Sequence, residues 1–135
     1  MKILIVNGPN LNLLGTREPE IYGNLSMDDV LRELKDEFEE YEFSYFQSNH
    51  EGAIIDHLQQ DYYDVLIINP GAFTHYSYAI ADCLKNIKKI KIEVHISNIY
   101  QREEFRQKSV TAVYTDAVIS GFGTRGYKLA VLSIY

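Results

Sequence analysis

Cysteine and long apolar runs are scarce in this sequence, and each absence narrows the class of protein. Cys83 is the single cysteine among 135 residues, which excludes an internal disulfide framework, and no Cys or His spacing is typical of a zinc site. The apolar start of the chain is too short for a signal peptide or a membrane span. We therefore expect an unprocessed, soluble protein of the reducing cytoplasm, with no bound metal and no membrane partner.

Runs of basic residues are also missing. The formal net charge is -6, from 13 Lys and Arg against 19 Asp and Glu. Nucleic-acid-binding proteins normally carry a basic patch, so nucleic acid is not expected as a partner, and a small molecule or another protein is favoured. With 46% hydrophobic residues the chain can bury a real core, and its length predicts one domain over residues 1–135.

The sequence does contain a regular alternation of strand and helix patterns. Short apolar runs that end in Asn, Gly or Pro are typical of buried strands, and apolar residues spaced three and four apart indicate helices. Five strands are predicted, at residues 2–6, 42–47, 64–69, 91–96 and 117–120. Helices are predicted from Ser26 to about Glu40, at 51–60, from Ser77 onward, at 102–108, and at 125–135, where a strand is the alternative.

This alternation predicts an α/β fold with a doubly wound, five-stranded parallel sheet. Right-handed crossovers leave few arrangements, and the flavodoxin-like strand order 2-1-3-4-5 is the expected one. Ligands of such sheets bind beyond the carboxyl ends of the strands, where the connections change face. Here that point lies beside strands one, three and four.

Polar residues follow those three strand ends. Strand one ends in the sequence NGPN, strand three ends in Asn69, and strand four contains Glu93 and His95 and is followed by Ser97. Taken singly, each Asn fits a turn residue and the imidazole fits a core histidine; together they predict a site. Glu93 and His95 lie two residues apart on a strand, so the carboxylate can orient the imidazole and hold a proton on it for acid catalysis. His75 could supply another hydrogen bond to a ligand.

The loop at residues 10–24 is predicted to be a lid, because it has glycines near both ends and an Arg17 and Tyr22 that the fold does not require. An ordinary surface loop is the alternative. A phenol has a pKa of about 10, so Tyr22 could act as a base near neutral pH only beside a cation such as Arg17. Arg106 is a second candidate cation, with a solvated surface charge as the alternative.

A flavin- or nucleotide-binding module is a rival interpretation, because the same fold carries such ligands. Its phosphate-binding loops are absent, since NGPNLNLLG matches neither GxGxxG nor GxxxxGK[ST]. An inactive relative that only assembles is a third hypothesis. Binding of FMN would favour the flavin- or nucleotide-binding module, and absence of turnover would favour the inactive relative.

Five blocks of the sequence resemble the type II 3-dehydroquinate dehydratases of the shikimate and quinate pathways. In chain order they are NGPNLNLLGTREPEIYG, SNHEG, INPGAFTH, EVHISNIYQREEFR and GFGTRGYKLA. Five ordered blocks are far more specific than one glycine motif. The resemblance implies a single catalytic domain that needs no cofactor and no metal, and that converts 3-dehydroquinate to 3-dehydroshikimate by anti elimination of water through an enolate.

The resemblance also assigns catalytic roles. It implies that Tyr22 is the base, that Arg17 lowers the pKa of this phenol, and that His95 is the acid. Asn10 is implied to hold a water at the enolate oxygen.

Substrate contacts are assigned in the same way. The substrate carboxylate is implied to bind Asn69 and the backbone amides of Ile96 and Ser97, and the ring hydroxyls to contact His75 and Arg106.

A neighbouring subunit is implied to take part as well. In the family, the aspartate that matches Asp82 reaches into the site of the next subunit. The resemblance implies a homo-oligomer in which four trimers form a dodecamer.

Overall fold

One parallel sheet organises the computed structural model, which describes residues 1–15 and 25–134. Its strands are β1 (Lys2–Asn7), β2 (Glu42–Gln47), β3 (Val65–Asn69), β4 (Ile90–His95) and β5 (Ala117–Ser120). The α-helices in the described part are α1 (Met27–Glu37), α2 (Glu51–Leu58), α3 (Tyr78–Lys85) and α4 (Arg125–Leu132). The order is β2-β1-β3-β4-β5 and all pairs are parallel, so the predicted fold class and strand order are confirmed.

The two faces of the sheet build two separate cores. Successive side chains of a strand point to opposite faces, so Ile3 and Ile5 of β1 pack in one core with α1 and α4. Leu4 and Val6 pack in the other core with α2 and α3. All four are fully buried, which explains why this strand is apolar throughout rather than alternating.

Serine side chains start two of the helices, as the sequence predicted. Ser26 Oγ accepts a hydrogen bond from the backbone N–H of Asp29 at 3.2 Å, and the Asp29 carboxylate accepts one from the Ser26 N–H, which completes a capping box. Ser77 Oγ likewise accepts from the N–H of Ile80 at 3.1 Å at the start of α3. These bonds satisfy backbone donors that the first helical turn leaves unpaired.

The chain after β4 differs from the prediction of a helix at 102–108. The structure has two short 3-10 turns there, Ile99–Gln101 and Glu104–Arg106. The physical reason is that the segment has no apolar stripe to bury against the sheet: Phe105 is 64% exposed.

The last element is a helix, and the strand alternative is wrong. In α4 the side chains of Tyr127, Ala130 and Val131 recur at helical spacing and are buried in the core beside α1. No helix among residues 1–15 and 25–134 is long and apolar enough to cross a membrane.

Candidate active site

The ends of β1 and β3 meet backbone to backbone. The N–H of Gly8 donates to the carbonyl oxygen of Asn69 at 2.8 Å, and a Cβ atom on Gly8 would lie 2.2 Å from the carbonyl oxygen of Pro70. Gly71 has φ +61°, and a Cβ there would lie 3.2 Å from the Pro9 carbonyl oxygen. Only glycines allow this approach, which brings the polar ends of the two strands together.

Asn10 is held in a left-handed conformation by the end of β2. Its φ is 68°, and its backbone N–H donates to Asn49 Oδ1 at 2.9 Å. Gln47 Nε2 donates to the same oxygen and to the carbonyl oxygen of Gly8, both at 3.2 Å. Sequence reasoning did not single out Asn49, although it lies in the SNHEG block.

A network of amides and phenols joins the ends of the strands and orients Asn69, its one member that lines the cavity. The Tyr127 hydroxyl donates to Asn7 Oδ1 at 2.7 Å and accepts from Asn69 Nδ2 at 3.3 Å, and Asn7 Nδ2 donates to the Tyr45 hydroxyl at 3.2 Å. Burial raises the pKa of Tyr127 and also that of Tyr45. Asn69 Oδ1 accepts from the N–H of Gly71 at 3.1 Å, so both ends of the Asn69 amide are oriented by the protein.

The predicted contact between Glu93 and His95 is present. Glu93 Oε2 lies 2.7 Å from His95 Nε2, and both side chains are buried. The same Oε2 accepts from Ser109 Oγ at 2.9 Å, and Oε1 accepts from Thr111 Oγ1. Because Nε2 faces the carboxylate, Nδ1 is the ring nitrogen left for a ligand in the cavity that His95 lines.

His75 is an acceptor toward the cavity. Its Nδ1 lies 2.8 Å from the carbonyl oxygen of Lys108, so Nδ1 carries the hydrogen and Nε2 has the free lone pair. Burial lowers the pKa of His75, and the bond to Lys108 opposes that shift. The neutral ring is therefore the favoured form at neutral pH.

Two arginines line the same cavity. Arg106, which the sequence predicted, donates from Nε to Glu103 Oε2 at 3.1 Å. Arg102, which it missed, donates from Nη1 to Ser97 Oγ at 3.1 Å. Glu103 pairs with both guanidinium groups, so one of the two positive charges is left over on this wall of the cavity, which favours an anionic ligand.

The backbone just after β4 presents donors. The carbonyl oxygen of Ile96 accepts from the N–H of Gly123 at 2.9 Å, and that of Ser97 accepts from Ser120 Oγ at 3.2 Å. Within the described part of the chain, the N–H groups of Ile96 and Ser97 have no protein acceptor. Adjacent free N–H groups of this kind are suited to a carboxylate.

These elements enclose one cavity of about 150 Å³. Seven of the predicted residues line it: Asn10, Asn69, His75, His95, Ile96, Ser97 and Arg106. Glu93 lies behind His95. Asp82 is exposed on α3 and does not line the cavity, so its contribution to a neighbouring subunit stays a prediction. Arg17 and Tyr22 lie outside the described residues. No group of three or more His, Cys, Asp or Glu in residues 1–15 and 25–134 is arranged to hold a metal ion.

Comparison with known proteins gives one consistent family. The family model described as Dehydroquinase class II matches residues 1–135. The 3-dehydroquinate dehydratase of Thermotoga petrophila is 56% identical over 133 residues, covering 97% of this chain and 92% of that protein. The 3-dehydroquinate dehydratase of Caldicellulosiruptor bescii is 53% identical over 138 residues, covering 98% and 95%.

Solved structures agree with the sequence relatives. The type II dehydroquinase from Butyrivibrio crossotus superimposes with a TM-score of 0.93 at 49% identity, covering 97% of this chain and 94% of that one. The type II dehydroquinase from Propionibacterium acnes has a TM-score of 0.92 at 41% identity, covering 97% and 93%. By sequence and by structure, this chain belongs to the class II dehydroquinase family.

Proposed function

We propose that this chain is a hydro-lyase that converts 3-dehydroquinate to 3-dehydroshikimate by removing water. The observation that carries the proposal is the buried Glu93–His95 pair, which opens onto a cavity whose other walls carry groups suited to a carboxylate and to hydroxyls. In a member of this family, that combination supports an acid held beside a small, anionic, hydroxylated substrate.

Binding would use three sets of groups. The free N–H groups of Ile96 and Ser97 and the amide of Asn69 would hold the substrate carboxylate. His75 Nε2 would accept a hydrogen bond from a ring hydroxyl, because its Nδ1 is committed to a backbone carbonyl. Arg106 would contact another hydroxyl. These contacts fix the ring, so that the reacting carbon and the leaving hydroxyl lie on opposite sides between base and acid.

The elimination would proceed in two steps. Tyr22, as phenolate beside Arg17, takes a proton from the carbon next to the ketone, and the C–H electron pair moves into an enolate stabilised by a water held by Asn10. The enolate then collapses, the C–O bond breaks, and His95 gives a proton to the departing hydroxyl, which leaves as water. Tyr22 has then gained one proton, from the substrate carbon, and His95 has lost one, to the departing water, so transfer of one proton from Tyr22 to His95 through solvent restores both groups.

Steady-state kinetics with purified protein and 3-dehydroquinate tests this proposal through the ultraviolet absorbance of the conjugated product. We expect Tyr22→Phe and His95→Asn each to lower kcat by roughly 10²- to 10⁴-fold, the usual contribution of an acid or base. Tyr62→Phe, a partly exposed tyrosine outside the cavity lining, is the matched control and should stay active. Lack of turnover by the parent protein, or full turnover by Tyr22→Phe, contradicts the proposal.

We also propose that the active form is a homo-oligomer of trimers in which Asp82 acts in the neighbouring site. The exposure of Asp82 on α3, away from its own cavity, supports this arrangement. Light scattering should give a mass of about twelve 15.6-kDa chains. Coexpression of Asp82→Ala and His95→Ala chains should restore part of the activity, because some sites then combine an intact Asp82 with an intact His95. No recovery in mixed oligomers would count against a role between subunits.

A further inference from the structure

The side of β4 that faces α2 and α3 is unusual in carrying buried polar residues. β1 and β3 bury Leu, Val and Ile side chains on this face, whereas β4 places Lys91, Glu93 and His95 there, at 8%, 0% and 5% exposure. A carboxylate removed from water is strongly disfavoured unless donors surround it. Glu93 therefore needs hydrogen-bond partners besides the imidazole.

A short segment at residues 108–112 supplies them. Ser109 Oγ donates to Glu93 Oε2 at 2.9 Å, and Thr111 Oγ1 donates to Glu93 Oε1, so each carboxylate oxygen accepts one hydroxyl. Thr111 is fully buried. The N–H of Ala112 donates to Ser109 Oγ at 2.9 Å, which occupies a lone pair of that oxygen and turns its O–H toward Glu93.

The same segment is fastened to the turn that carries the other site histidine. The N–H of Val110 donates to the carbonyl oxygen of Thr74 at 2.8 Å, and the carbonyl oxygen of Lys108 accepts from His75 Nδ1 at 2.8 Å. The two hydroxyls of this segment therefore bind Glu93, and its backbone binds His75 and Thr74.

We propose that Ser109 and Thr111 are positioning residues of the reaction: they lock the plane of the Glu93 carboxylate so that Oε2 stays against His95 Nε2 and Nδ1 stays directed at the substrate. A carboxylate held by the imidazole alone could rotate about its last side-chain bond, whereas two hydroxyls on separate oxygens prevent that rotation. The inference rests on the proposed function, in which His95 donates the proton to the leaving hydroxyl.

Thr111→Val tests the inference, because valine keeps the shape and removes the hydroxyl. We expect kcat to fall by about 10- to 100-fold, the usual effect of removing a group that orients a site residue, with KM changed by less than about twofold. Thr111→Ser should restore most of kcat. Ser109→Ala should behave like Thr111→Val and offers a second, smaller change if the valine variant folds poorly.

Thr115→Val is the matched control. Thr115 lies just beyond the segment, and its Oγ1 donates to the carbonyl oxygen of Ala112 at 2.9 Å without touching Glu93. Its kcat should match that of the parent. Equal losses in Thr115→Val and Thr111→Val would indicate a merely structural role and overturn the proposal, as would parent-like kcat in both Thr111→Val and Ser109→Ala.

A second readout does not depend on turnover. The His95 N–H that faces Glu93 should give a downfield proton resonance, assigned by its loss in His95→Asn, and this signal should broaden or shift in Thr111→Val and recover in Thr111→Ser. If the parent protein fails to turn over 3-dehydroquinate but the signal responds in this way, the proposed function fails, and what stands is that Thr111 orients the Glu93–His95 pair. If turnover is normal and the signal is unchanged in Thr111→Val, the positioning role fails alone.

Discussion

Replacing Tyr127 with phenylalanine removes one buried hydroxyl that joins the ends of β1 and β3. This hydroxyl donates to Asn7 Oδ1 at 2.7 Å and accepts from Asn69 Nδ2 at 3.3 Å, and the whole side chain is buried. A hydrogen bond contributes about 1 kcal/mol net, and a buried polar atom left without a partner costs about 1–3 kcal/mol. The bond to Asn7 is short and the bond to Asn69 is long, so we expect a total loss of about 2–4 kcal/mol in the free energy of unfolding.

The same change should weaken substrate binding. Asn69 lines the cavity, and the hydroxyl is one of the two partners that orient its amide. If the loss of the oriented Asn69 amide weakens binding by about 1 kcal/mol, KM rises about fivefold, with a smaller effect on kcat because the proposed acid and base are unchanged. Urea denaturation at fixed protein concentration measures the first effect, and steady-state kinetics the second.

Tyr63→Phe is the control for both measurements. The Tyr63 hydroxyl is buried and donates to the carbonyl oxygen of Leu58 at 2.6 Å, and Tyr63 does not line the cavity. This variant should lose about 1–2 kcal/mol of stability and keep the parent KM. A loss below about 0.5 kcal/mol in Tyr127→Phe, with KM unchanged, would refute the reasoning, since the amides would then be oriented without the phenol.

Three further outcomes follow from the geometry. Gly8→Ala should lower the free energy of unfolding by about 3 kcal/mol or more, because the new Cβ would lie 2.2 Å from the carbonyl oxygen of Pro70. In the control Gly52→Ala the new Cβ meets nothing within 4 Å in its helix, so this variant should be more stable by about 0.5–1 kcal/mol; urea denaturation compares the two. Burial lowers the pKa of His75 below its usual value of about 6.5, so the proposed hydrogen bond from substrate to the neutral ring is complete above that pH and is lost as the pH falls through the lowered value. KM should therefore rise at the acid end, and a His75→Gln variant should lack that rise. Burial raises the pKa of Tyr63 to about 12, so the stability that the neutral phenol contributes is complete below pH of about 10 and is lost as the pH rises toward 12. The free energy of unfolding should therefore fall less steeply with alkaline pH in Tyr63→Phe.

Most of the fold could be predicted from the sequence, because the strands that form the sheet carry strong local signals. β1 and β3 are continuous apolar runs that end in Asn, and parallel strands buried on both faces require that pattern. Ser26 and Ser77 mark helix starts through bonds that reach only three residues along the chain. The predicted helix at 102–108 was wrong, because charge spacing without an apolar stripe gives a helix nothing to pack on.

The candidate site could be predicted only where its residues are close in sequence. Glu93 and His95 were identified because their contact spans two residues and follows from the pleat of a strand. The Tyr127 hydroxyl meets Asn7 across 120 positions of the chain, and Thr111 meets Glu93 across 18. Spacing along a sequence carries no information about such partners. The Ser-x-Thr spacing of 109 and 111 was the one local signal, and it has meaning only once β4 is known to bury a carboxylate.

The polar face of β4 explains why the site lies where it does. Ile92 and Val94 of this strand complete the core beside α4, so the apolar packing of the strand lies on one face alone. On the other face, Lys91 Nζ donates to the carbonyl oxygens of Leu84 and Ile87 at 2.8 and 2.7 Å, at the end of α3, and burial lowers its pKa. Each buried polar group on this strand thus depends on partners from elsewhere in the chain. Loss of a partner on the polar face leaves an unpaired group inside the protein and, at the strand end, would turn the imidazole of His95, the proposed acid.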